Sequence, residues 1–177
     1  LMPAQAEVMI SALHGALETH PVLPTRYCVR RDRAVSTTER QQLCALAERL
    51  RAELTAASNP RHVDTVVTRV LLGFEQGRGR GDDENEVLVA EYVSALKALP
   101  LAAIHAAAER FRSGETLRPW SKRFRPSPAE FADEVREGLI PLRTQLLRIR
   151  RVLDAEIYDV PTAEQRAEVA KVAEAHL

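Results

Sequence analysis

The residues best suited to chemistry in this chain are basic and aromatic, and they cluster. Between positions 110 and 125 stand Arg110, Arg112, Arg118, Lys122, Arg123 and Arg125 against the single acid Glu115. Phe111, Trp120 and Phe124 are interleaved with them, and Trp120 is the only tryptophan of the sequence. Guanidinium groups contact phosphate oxygens, and exposed rings stack on the bases of a single strand, so the span has the composition of a nucleic-acid contact. The same rings can instead anchor an ordered loop on the core and leave the basic residues solvated, which is the commoner use of a ring in a loop. A second strip, Arg143, Arg148, Arg150 and Arg151, has no acid within it, and a third gathers Arg26, Arg30, Arg31 and Arg33 around Asp32. Opposing them, Asp82, Asp83, Glu84, Glu86 and Glu91 crowd the start of one segment.

Catalytic and metal-binding patterns are not found at this level. Nucleophilic catalysis needs a serine or cysteine supported by a histidine and an acid. His14, His20, His62, His105 and His176 are scattered, and none sits in a local acid–base motif. His62 and Asp64, two apart, face different sides of a helix, unlike the i,i+4 pair that holds a metal. The acid run from Asp82 lacks the alternating spacing of a calcium loop and suits instead the positive end of a helix dipole. No glycine cluster precedes a Lys-Ser or Lys-Thr, so a phosphate loop is not indicated. Cys28 and Cys44 lack paired zinc spacing and are expected to be free thiols. The expectation is a non-enzymatic protein with no cofactor and no metal.

The elements that must position these residues are read from periodicity. Ser36-Thr37-Thr38-Glu39 is a capping box, followed by Leu43, Leu46, Ala47, Leu50 and Leu54 on one helical face. Asn59-Pro60 restarts the chain as N-cap and first helical residue, with Val63, Val67, Val70, Leu71 and Phe74 as its stripe. Gln76 to Gly81 reads as a flexible loop. Leu88, Tyr92, Leu96 and Leu99 form the next face, Pro100 turns a corner, and Ile104, Ala107, Ala108 and Phe111 lead to a terminating Gly114. Ser127-Pro128-Ala129-Glu130 is the strongest helix start, opening a stripe that stays in phase from Phe131 to Ile157. That stripe predicts one long helix near 128–157, kinked at Glu137 by the Pro141 ring. Its stretch Leu139, Leu142, Leu146, Ile149 and Leu153 spaces like a seam for a second copy or a partner helix. Thr162 to Gln165 caps a last helix with a weak apolar face. Tyr27-Cys28-Val29 and Arg33-Ala34-Val35 allow at most a short edge or hairpin.

These elements predict an all-α fold, a single helical-bundle domain of about seven helices. Its expected segments are an N-terminal helix in 1–25, a helical core in 26–126 that carries the basic loop 110–125, and the long and C-terminal helices in 127–177. With 177 residues the chain can bury a sizeable core. Its 25 basic and 25 acidic residues exclude a uniformly basic coat while permitting a polarised surface. The apolar N-terminal pattern has no basic leading region and contains Glu7, His14 and Glu18, so it reads as neither signal peptide nor membrane span. A cytoplasmic protein without membrane contact is expected.

The segment Glu91 to Val135 joins a Tyr-x-x-x-Leu helix, a Leu-Pro corner, an alanine-rich helix and a Phe-x-Pro-Ser-Pro-Ala-Glu-Phe helix start. It resembles small all-helical phage and prophage proteins grouped with replicative helicase loaders and loader–inhibitors. The matching positions are Tyr92, Leu96, Leu99, Pro100, Phe124, Pro126, Pro128, Glu130 and Phe131. The resemblance covers a quarter of the chain and implies a non-enzymatic adaptor in phage or prophage DNA replication that binds a replicative helicase or an associated protein. It assigns no binding residue. Two other readings stand beside it: direct DNA or RNA binding through the basic residues of 110–125 and 143–151, and a homo-oligomer built on the 139–153 seam.

Overall fold

A computed structural model describes residues 3–74 and 82–174. The chain runs α1 (Pro3–Gly15), β1 (Glu18–Thr19), β2 (Tyr27–Arg30), α2 (Thr37–Thr55), α3 (Pro60–Leu71), α4 (Asp82–Leu96), α5 (Leu101–Ser113), α6 (Pro128–Gly138), α7 (Ile140–Leu153), β3 (Glu156–Tyr158) and α8 (Ala163–Glu174). It is mostly helical but not all-α, because β1, β2 and β3 form a three-stranded sheet with β2 in the centre. The Gln76–Gly81 loop and His176 lie outside the described residues.

Helix starts follow side-chain capping. The Asn59 side chain accepts from the Arg61 N–H at 3.0 Å. Ser36 with Glu39, and Ser127 with Glu130, form reciprocal boxes in which each glutamate reaches back to the cap N–H, at 2.9 Å and 2.7 Å. Thr162 and Gln165 repeat the arrangement at the start of α8. Each cap satisfies amides that a helix end leaves without partners. At the other end of α5, Gly114 takes φ 74°, the left-handed conformation that a terminating glycine adopts freely.

The chain divides into two compact units, Leu1–Ala45 with Leu147–Leu177, and Leu46–Leu146. These differ from the three consecutive segments expected, because the end of the chain returns to its beginning. In the first unit β2 pairs antiparallel with β1, Glu18 opposite Cys28, and parallel with β3, Cys28 opposite Glu156 and Arg30 opposite Tyr158. Cys28 and Val29 are buried, as are Ala6 and Ile10 of α1. Ile157 therefore belongs to a strand and not to the last turn of a long helix. Arg31–Arg33 is a 3-10 turn, and Arg33-Ala34-Val35 makes no strand. Every α8 side chain described is exposed, in keeping with its weak apolar face.

The second unit is a helical cluster. Valines 63, 66, 67 and 70 of α3 meet Tyr92 and Leu96 of α4, Ile104 and Phe111 of α5, and Phe131 and Val135 of α6. Ala107 and Ala108 add no bulk between these helices. The Tyr92 hydroxyl donates to the Pro126 carbonyl, and its ring stands edge-on to Phe131 at 6.3 Å.

The helix expected to run unbroken over 128–157 is interrupted. Pro141 has no N–H to give Glu137, so the ladder closes early: Leu139 N–H turns back to Arg136 at 3.2 Å. It resumes with Arg143 N–H on the Leu139 carbonyl at 3.1 Å. The seam is corrected as well. Leu139, Leu146 and Ile149 are buried within this chain, and Leu142 and Leu153 are half-buried. An apolar face already covered by its own fold offers no open seam to a second copy. The exposed apolar side chains of α7 are instead Ile140 and Leu147, one heptad apart.

Candidate functional site

The basic segment 110–125 does not act as one surface. Arg110 pairs through Nε with the buried carboxylate of Glu134 and through Nη2 with the Glu134 carbonyl at 3.0 Å. The same carboxylate accepts the N–H groups of Leu117 and Arg118 at 3.0 Å and 3.2 Å, tying the loop after α5 to α6. Arg112 pairs with Glu109 at 3.0 Å and Arg118 with Asp133 at 3.2 Å. Trp120 is half-buried, edge-on to Phe111 at 5.1 Å and to Phe74 at 5.8 Å. It anchors the loop, so the base-stacking role allowed for it is not available. Arg125 lines an apolar cavity. Lys122, Arg123 and Phe124 remain exposed, with Arg123 over the Phe124 ring at 5.7 Å.

Arg26 of one strip and Arg150 and Arg151 of another, unrelated in sequence, converge in the first unit, whereas Arg30 pairs with Asp32 and Arg31 with Asp159. An open groove of about 820 Å³ is lined by Pro24, Thr25 and Arg26 before β2, Tyr27 at its first position, Leu147, Arg150 and Arg151 from α7, and Asp154 and Glu156 beyond it. The parallel pairing of β2 with β3 puts the end of α7 beside Tyr27. Arg151 lies over the Tyr27 ring, 5.1 Å from its centroid, a cation–π contact. Arg26 and Arg150 have no side-chain ion pair among the described residues.

Two arginines of α7 act on a neighbouring histidine. His14, 6.5 Å from the Tyr27 ring, has its pKa held below the usual histidine value, first by burial and then by the charges of Arg151 and Arg148. Its Nε2 is buried with no hydrogen-bond partner among the described residues, which suits a neutral ring. The acids of the groove are partly engaged, for Glu156 meets His20 Nε2 at 3.4 Å. Arg148 is drawn off by Glu7 at 3.1 Å, and Arg143 is exposed.

No family model, curated protein or solved structure matches this chain. Among the described residues no group of histidine, cysteine, aspartate or glutamate could hold a metal ion, and no helix is long and apolar enough to cross a membrane. Cys28 and Cys44 are unbridged, the first buried and the second exposed.

Two residues were not singled out by sequence, Tyr27 of the groove and Glu134 of the ion pair in the second unit. Tyr27 was visible only as part of a short apolar run. Glu134 had a signal that could have been used: an acid three residues after Phe131, on the buried face of α6. An acid on such a face needs a cation opposite it, and Arg110 on α5 is that cation.

Proposed function

We propose that this is a non-enzymatic nucleic-acid-binding protein, and that the groove of Arg26, Tyr27, Arg150 and Arg151 holds the backbone of a single strand. The observation that carries the reading is that Arg26 of one basic strip and Arg150 and Arg151 of another meet around one aromatic ring. Arg26 and Arg150 supply phosphate contacts without first breaking an internal pair. Arg151 exchanges its place on Tyr27 for a phosphate, which frees the ring for a base. Binding of a fluorescent oligodeoxythymidylate tests this residue by residue. Arg150→Gln is expected to weaken binding, whereas Arg112→Gln, which removes a cation already paired with Glu109, leaves it unchanged. Equal losses in both variants would remove the groove from the account.

A second reading, the helicase adaptor, is favoured by one observation. The positions that resemble helicase loaders include residues of one core: Tyr92, Leu96, Pro100, Pro126 and Phe131 are buried, and Glu130 closes the α6 cap. Phe124 differs from them, being 51 % exposed beside Lys122 and Arg123. On this reading Phe124 is the contact. Phe124→Ala is expected to abolish co-elution with a purified replicative helicase while leaving oligonucleotide binding intact; failure of the native chain to co-elute contradicts the adaptor reading.

A further inference from the structure

A separate cavity lies in the second unit, of about 310 Å³, a size at the lower end of small-ligand sites. Its wall is apolar on most sides: Leu71, Leu72 and Phe74 at the end of α3, and Leu88 and Val89 of α4. Leu72 is 78 % exposed and gives the rim an apolar lip. Among the described residues of the lining Arg125 is the only charged one, the remaining two being the neutral Thr68 and Asn85. It is half-buried, and no acid among the described residues pairs with it. Burial pushes the nearby Tyr92 phenol up, Arg125 opposes that push, and Glu130 and Glu91 add to it.

A partly desolvated cation with no ion-pair partner among the described residues is unfavourable, and an anion that brings its own apolar body relieves it. We infer that this cavity binds a small amphipathic carboxylate, its chain against Leu71, Phe74, Leu88 and Val89 and its carboxylate on Arg125. A planar guanidinium takes a carboxylate in two parallel hydrogen bonds, which a neutral headgroup cannot form. The site is independent of the groove in the first unit, and either can fail without the other.

Trp120 is a built-in reporter, because it stands edge-on to Phe74 in the cavity wall. The full chain is titrated with octanoate and, separately, with 1-octanol while Trp120 fluorescence is followed. Octanoate is expected to give a saturable change, and Arg125→Gln to weaken it by about tenfold, the scale of a lost charge-assisted hydrogen bond. The response to 1-octanol is expected to be weaker and the same in both proteins. Thr68→Leu, which narrows the cavity without touching Arg125, is expected to weaken both probes. No saturation in the native chain, equal octanoate affinity in Arg125→Gln, or octanoate binding unchanged by Thr68→Leu each overturns the inference.

Discussion

Arg110 of α5 and Glu134 of α6 form an ion pair in which the carboxylate is only 2 % exposed and also receives two loop N–H groups, from Leu117 and Arg118. The most basic stretch of the sequence therefore begins with an internal clasp. Removing the acid leaves a guanidinium and two amides without their acceptor in a partly buried setting. Glu134→Ala is expected to destabilise the protein by about 3–5 kcal/mol in urea unfolding, the usual cost of breaking a buried pair from one side. A loss below about 1 kcal/mol would show that water replaces the carboxylate, contrary to this account.

Gly138 makes room for that clasp. A Cβ on this residue would stand 2.8 Å from Arg110 Nη2, and the guanidinium cannot swing aside without leaving Glu134. In an open helix Gly→Ala gains about 0.5–1 kcal/mol. Here Gly138→Ala is expected to destabilise by about 1 kcal/mol, since overpacking costs about 1–3 kcal/mol. In an Arg110→Ala background the same substitution is expected to become neutral or stabilising. A double-mutant cycle with no coupling between positions 110 and 138 would refute the relationship.

Local chemistry was legible and long-range pairing was not. The caps at Ser36, Asn59, Ser127 and Thr162 are written in three or four adjacent residues, so the helix starts can be read directly. The sheet joins strands of two, four and three residues, too short for an alternating pattern to emerge. Its parallel pair links Cys28 to Glu156, a contact that no local window contains. The convergence of Arg26 and Tyr27 with Arg150 and Arg151 depends on that pair and was hidden for the same reason. The in-phase stripe from Phe131 to Leu153 was real, but spacing alone does not tell a partner's face from the chain's own core. Nor does it show that Pro141 ends one helix and starts another.

His14 makes stability depend on pH in a defined direction. Burial, Arg151 and Arg148 lower its pKa in the folded protein relative to the ordinary histidine value of 6.5. The unfolded chain then binds more protons in the window just below that value, so stability rises with pH there. The contribution is fully present above 6.5 and is lost as pH falls through the lowered folded value. His14→Gln is expected to flatten the melting temperature between pH 7 and pH 5 relative to the native chain. An unchanged slope in that variant would contradict a neutral His14.

The most direct test of the central claim is the salt dependence of single-strand binding. Each phosphate contact contributes about −0.7 to the slope of log affinity against log salt for a single strand. Fluorescence anisotropy of a labelled oligodeoxythymidylate is expected to give a slope of about −2 for the native chain, from Arg26, Arg150 and Arg151 acting together. The triple variant Arg26→Gln, Arg150→Gln, Arg151→Gln is expected to lose most of that slope and most of the affinity at low salt. A native slope near zero, or the same slope in the triple variant, would contradict the claim that this groove holds a nucleic-acid backbone.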